Sequence, residues 1–423
     1  MDTRQFISLF IFILSYILFV FLTNRRTLVA VVGSLLLVLT GAVSLGDALV
    51  SINWNVMGIF VGTLMMADVF VNSRVPAYLA EIIVRHSKNT AWAILFICLL
   101  TGFISAFVEN VATVLIIAPV AISISRKIGF NPIKMMIAIA VSSNLQGAAT
   151  LIGDSPSMLL AGFAKMNFWD FFFYKGKPGI FFAVEIGALV SFVVLYLIFR
   201  KNREKIYLPV TEVVKSWIPT VLLALLIIFL AISSFVDIKF SYTAGVICMV
   251  FGIVSLLWEK FVNKSSIIKN IRLLNWDTSI FLVGIFVLVG ALTLNGWTDK
   301  IAVILSGLVG KNIFLGYFLI VFLSVLFSCF IDNIPFLAAM IPVAIKISAT
   351  LNIDPSLYLF GLLIGASLGG NITPIGASAN IVCCGILKKA GYTVKFGDFV
   401  KIGLPFTLTA VSAAFLFGWM VWR

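Results

Sequence analysis

The sequence predicts an all-α polytopic membrane protein built as an inverted repeat. Two five-span halves each carry a re-entrant helical hairpin and a broken helix, making about ten spans and two hairpins in all. Three observations predict this. The 423 residues are 61% hydrophobic and 11% charged, with a mean hydropathy of +1.15, which excludes a soluble globule. Apolar runs long enough to cross a hydrocarbon core of ~30 Å recur along the whole chain. The phrase "FVENVATVLIIAPVAISI", from Phe107, returns 223 residues later as "FIDNIPFLAAMIPVAIKI", from Phe330.

Taken in order, the full spans fall at about residues 6–22, 27–45, 54–72, 135–165, 179–199, 216–236, 240–257, 277–295, 356–387 and 402–422. The stretches 91–125 and 313–349 are long enough to enter and return, and each is interrupted midway, by Glu109-Asn110 or by Asp332-Asn333. Both read as re-entrant hairpins. The spans 135–165 and 356–387 contain "SSNLQGAATLIGDSPS" and "GASLGGNITPIGASAN". Such breaks expose backbone polar groups that lipid cannot satisfy, so they must line protein or a water-filled cavity. The chain then divides into an N-terminal repeat (1–199), a cytoplasmic linker (200–215) and a C-terminal repeat (216–423). Residues 75–89 and 299–311 read as interfacial helices.

Loop charge sets the sidedness. With an external N-terminus, the cytoplasmic loops hold 21 of the 30 basic residues, among them Arg25, Arg26, Lys127 and Lys205. This fits the positive-inside rule only if 91–125 returns to the cytoplasm. The first hairpin therefore opens inward and the second outward.

A shift of 223 aligns 105–162 with 328–385 without a gap, at 17 identities in 58 positions. Asn110 falls on Asn333, Thr150 on Thr373, Gly153 on Gly376, Ser155 on Ser378, and Glu109 on Asp332. Five spans separate matching positions, so the halves face opposite ways. Inverted repeats with broken helices at matching positions are the mark of alternating-access transport around a site near the bilayer midplane.

The chemistry follows from burial. Carboxylates at membrane depth mark ion or proton paths, so Glu109, Asp154 and Asp332, with Asn110, Asn144 and Asn333, are candidates for ion or proton coupling. The broken helices offer free carbonyls to Na+ and free N–H groups to an oxygen-rich solute. That makes Thr150, Gly153, Ser155, Asn371, Thr373, Gly376, Ser378 and Asn380 candidate substrate ligands, and Asn110, Asn144, Asn333 and Asn371 candidate Na+ ligands. Asp154 falls on Ala377, so the half-sites are expected to differ. Asp154 also reads as an N-cap. Glu185 is either a relay or a bond to a neighbouring helix. Cys383-Cys384 reads as helix packing. With one histidine and no Walker motif or nucleophile–base set, neither a histidine metal centre, an ATP-driven pump nor an enzyme is expected, and no cofactor beyond Na+ or H+.

"SAFVENVATVLIIAPV", "GAATLIGDSPS", "SCFIDNIPFLAAMIPV" and "GGNITPIGASANIV" resemble the ion transporter superfamily over residues 50–400. The likeness is to its arsenite permease and sodium–proton antiporter (ArsB/NhaD-like) branch, related to divalent anion/sodium symporters and citrate-transporter-like permeases. It implies cation sites between each hairpin tip and its neighbouring broken helix, with substrate between them. The symporters carry Ser-Asn-Thr at each tip, where this chain has Glu109-Asn110-Val111 and Asp332-Asn333-Ile334. The expected function is proton- or sodium-coupled efflux of a small inorganic oxyanion or its neutral acid, such as arsenite, across the plasma (inner) membrane. Na+/H+ antiport and sodium-coupled anion uptake are the alternatives. Expected partners are the bilayer, a second copy and a soluble ATPase subunit, and no nucleic acid.

Overall fold

The computed structural model describes residues 3–22, 25–204, 211–264, 266–310 and 312–423. Residues 205–210 of the expected linker, with Lys205, and the last residue of the segment 299–311 lie outside them, as does the side chain of Lys127. The N-terminal half supplies ten helices: α1 (Thr3–Phe21), α2 (Arg26–Leu39), α3 (Leu45–Ser51), α4 (Trp54–Asn72), α5 (Val75–His86), α6 (Thr90–Ser105), α7 (Asn110–Ile128), α8 (Pro132–Gly147), α9 (Ser155–Ala164) and α10 (Ile180–Phe199). The C-terminal half repeats the series: α11 (Ile218–Val236), α12 (Thr243–Asn263), α13 (Ile267–Leu273), α14 (Trp276–Leu294), α15 (Trp297–Val309), α16 (Ile313–Ser328), α17 (Asn333–Thr350), α18 (Ser356–Gly369), α19 (Ser378–Lys389) and α20 (Phe396–Trp422). A two-stranded hairpin, Phe173–Tyr174 against Lys177–Pro178, precedes α10.

Eight of these helices (α1, α4, α10, α11, α12, α14, α17 and α20) are long and apolar enough to cross a membrane. The chain is a multi-pass membrane protein. The span expected at 27–45 is shorter than predicted. Gly41 takes a left-handed conformation (φ 68°) and Ser44 caps a new helix, so α2 ends at Leu39 and α3 follows. The last span begins earlier than expected, at Phe396.

The helices pair by exchange between halves. α4 lies along α12, and its counterpart α14 lies along α2. Glycine permits the close approach. A Cβ on Gly62 of α4 would collide with the Cys248 backbone, and one on Gly284 of α14 would meet Ala30 of α2. α10 packs on its own counterpart, α20. Each hairpin's second helix, α7 or α17, packs against the other half's α19 or α9. This crossing brings the two hairpin tips and the two helix breaks to one place.

Candidate functional site

Each hairpin tip is a short turn between two helices. α6 ends at Ser105 and α7 begins at Asn110; α16 ends at Ser328 and α17 begins at Asn333. The acids at the tips are the N-caps. Glu109 accepts from the backbone N–H of Val111 (2.9 Å) and Ala112 (3.2 Å), and Asp332 from that of Ile334 (3.3 Å). A proline in each returning helix, Pro119 or Pro342, occupies matching positions.

The broken helices part at residues 148–154 and 370–377, and their geometry repeats as well. The Thr150 hydroxyl donates to the Ala106 carbonyl, and that of Thr373 donates to the Cys329 carbonyl, 223 residues on in both donor and acceptor. Gly153 lies against the carbonyls of Ser105, Ala106 and Gly147, and Gly376 against those of Ser328 and Gly370, with no space for a Cβ at either. These four residues fasten each break to the first arm of its own hairpin.

Between tips and breaks lies a cavity of about 30 Å³, room for one or two water-sized groups. It is lined by Glu109, Asn110, Asn144, Asp154, Ser155, Asp332, Asn333 and Ser378 among the sequence candidates. Thr150, Gly153, Asn371, Thr373, Gly376 and Asn380 do not line it; their hydrogen bonds and backbone contacts hold the framework. The Asn144 amide donates to the side-chain oxygens of Asn371 (2.9 Å) and Asn380 (2.8 Å). Asn371 then donates to the Val141 carbonyl, and Asn380 to those of Gly370 and Thr373. The two breaks are thereby stitched together, with both the oxygen and the amide nitrogen of Asn371 bonded to α8. Behind the first tip, the Asn110 side-chain oxygen accepts from Ser105 (2.8 Å).

Five helix N-termini converge on the cavity: α7, α9, α14, α17 and α19. Each contributes a partial positive charge from its free N–H groups. Four are capped by a side chain, from Glu109, Asp154, Asn275 or Asp332. Asp154 Oδ1 accepts from the Ser157 N–H (2.8 Å), while Oδ2 is buried without a hydrogen bond. The fifth, α19, has Ala377 at its N-cap and no side-chain cap.

Three lining or bordering residues escaped the sequence reading. Asn275 and Thr278 enter from the first turn of α14. Arg26, assigned to a cytoplasmic loop, is instead the first residue of α2. It forms an ion pair with Asp332 and donates to Ser378 (3.4 Å), and it stands 5.1 Å over the Phe281 ring. Outside the cavity, Glu185 accepts from Gln146 on α8 (3.2 Å), a bond between helices. Cys383 is buried against the Met136 carbonyl.

Two solved transporter structures share this fold. The crystal structure of the YdaH transporter of Alcanivorax borkumensis superposes with a TM-score of 0.63 over 88% of this chain and 86% of that one, at 14% identity. MtrF of Neisseria gonorrhoeae, from a class of antimetabolite efflux pumps, gives 0.58 over 91% and 83%, also at 14%. At such identities the likeness establishes the fold. In sequence, an uncharacterised transporter of Mycobacterium bovis is 28% identical over 98% of both chains. The P protein of Mus musculus is 27% identical over 94% of this chain, which spans 58% of that protein. The profile of the citrate transporter family (CitMHS) matches residues 16–352 and 276–423, and the chain belongs to that family, within the ion transporter superfamily.

Proposed function

We propose that the chain is a secondary active transporter that couples H+ or Na+ movement to that of a small, oxygen-rich inorganic solute. The cargo class is an oxyanion or its neutral acid, with arsenous acid as the type, as in the arsenite permease branch. The carrying observation is the mismatch at two equivalent helix ends inside one cavity. At α9 the Asp154 side chain accepts from the Ser157 N–H; at α19 Ala377 offers no side-chain cap, and the matching Asn380 N–H turns to the Ala377 carbonyl. The α9 side, with Glu109 and Asp154, suits a cation or proton. The α19 side, with Ser378 and a helix N-terminus that carries no acidic cap, suits oxygen atoms of the cargo. Alternating access follows from the repeat, with Asn110 reached from the cytoplasm and Asn333 from outside, in the plasma membrane.

A tricarboxylate such as citrate fits this arrangement poorly. Three carboxylates face one guanidinium around the cavity, which repels a trianion. The same excess of acid favours Na+/H+ antiport as the second reading. Purified protein in proteoliposomes separates them. Arsenite movement driven by a pH or Na+ gradient is the expected result. Na+/H+ exchange without any arsenite requirement selects antiport, and citrate accumulation would overturn both readings.

A further inference from the structure

We propose that Arg26 is a tethered internal cation that fills the second half-site, so that the coupling ion is taken by the first half-site alone. The inference rests on the ion-coupled reading above and fixes where its cation binds.

The repeat supplies two carboxylate–asparagine tips, Glu109-Asn110 and Asp332-Asn333, and each caps the same helix in the same way. On symmetry alone the cavity would hold two exchangeable cations. Only one tip is free to take one. The Arg26 guanidinium pairs with Asp332 and bonds Ser378, whose hydroxyl also approaches the same carboxylate oxygen (3.4 Å). Both side chains are 17% exposed. Arg26 is held from behind by the Phe281 ring, and the hydroxyl of Tyr16 on α1 donates to the Pro335 carbonyl (2.6 Å), which pins the second tip against the same pair of helices. Burial works against the charge of Arg26, and Asp277, in the first turn of α14, and Glu109 offset part of that cost. Asp332 thus pairs with Arg26 and shares the cavity with Glu109 and Asp154, while Asp277 acts on Arg26.

Among the described residues, Glu109 makes no ion pair and feels Arg26 only at longer range. The matching start of α12 reads Thr243-Ala244-Gly245, without charge, and Gly245 is tied to Asn55 of α4 (2.7 Å). Glu109 therefore has no tethered partner on its counterpart helix. A mobile H+ or Na+ at Asp332 would have to displace a guanidinium that is covalently part of the chain, and at high effective concentration, whereas one at Glu109 displaces none.

The test counts cations on the purified full-length chain, without cargo. Saturable ²²Na+ binding and proton uptake on acidification are measured for wild type, Glu109→Gln, Asp332→Asn, Arg26→Gln and Arg26→Gln/Asp332→Asn. Arg26→Gln is expected to gain one cation per chain, as Na+ or H+. The added Asp332→Asn change should abolish that gain. Thermal stability of Arg26→Gln should rise with Na+ or acid more than that of wild type. A count equal to wild type in Arg26→Gln would overturn the proposal. Should Arg26→Gln not fold, the single acids decide. Asp332→Asn must leave the count unchanged while Glu109→Gln lowers it by one; a cation lost with Asp332→Asn refutes the internal cation. Because no cargo is present, absence of arsenite transport would refute the functional reading and leave this count standing.

Discussion

The two half-sites begin from nearly the same words and end in different chemistry. Both have an acidic N-cap at the hairpin tip, an asparagine beside it, a threonine bonded to the hairpin arm and a glycine under the break. The first adds Asp154; the second has Ala377 and receives Arg26 from α2. The difference teaches that the repeated Thr and Gly fasten the scaffold and the repeated acids arm both tips, while Asp154 and Arg26, each without a counterpart, make the two half-sites unequal. Function should therefore be most sensitive at the charged groups, and stability at the hydrogen bonds that join the halves.

The largest effect is expected from Glu109→Gln. Gln keeps the side-chain acceptor for Val111 and Ala112 but removes the charge, so gradient-driven transport in proteoliposomes should fall about tenfold or more. Wild-type rates and pH profile would reduce Glu109 to a helix cap. A swap at the open helix end comes next. Ala377→Asp would close the α19 N-terminus as Asp154 closes α9, and should raise the half-saturating arsenite concentration about tenfold, roughly the value of one charged group at a helix end in a partly buried site. The reciprocal Asp154→Asn preserves capping, since Asn is as good a cap. It should shift the half-saturating ion concentration and leave arsenite half-saturation in place; equal movement of both would erase the distinction between the half-sites.

Asn371→Ala addresses the shared framework. It leaves the Asn144 amide without one of its buried acceptors, a loss of about 1–3 kcal/mol, visible as a lower melting temperature with little change in cargo affinity. The smallest effect belongs to a carboxylate outside the membrane. Partial burial raises the Asp237 carboxyl, and the backbone N–H groups of Ser241, Thr243 and Tyr242 more than offset this, bringing it down to about 2. A carboxyl lowered in the folded state stabilises above its ordinary value of 3.8 and loses that contribution as pH falls toward about 2. Asp237→Ala should flatten stability across that window alone, with transport near neutral pH unchanged. A transport defect would mean that charge outside the cavity shapes the cycle.

Much of the fold was legible because membrane burial leaves few ways to interpret Gly, Pro, Asn and acid in apolar sequence. The tips at Glu109 and Asp332 and both breaks were found that way, and eight of the fourteen named site residues line the cavity. The other six were seen as repeated and polar, yet repetition alone does not tell a ligand from a fastener. Thr150 and Thr373 show this, since their matching bonds to Ala106 and Cys329 appear only in three dimensions. Arg26 was hidden for a different reason. Beside Arg25 at the end of an apolar run, it looks like a topological charge, and its acid lies 306 residues away. Asn275 did carry a signal: it matches Asn53 as the cap of an equivalent helix.

The Asn144 bridge to Asn371 and Asn380 makes the seam between the halves directional. Carried through the repeat, these three positions become Ser367, Ala148 and Ser157, so the reciprocal cross-link does not exist in this chain. One half donates and the other accepts, as in the interface of a heterodimer. A second copy of either half could not replace the other without losing these bonds.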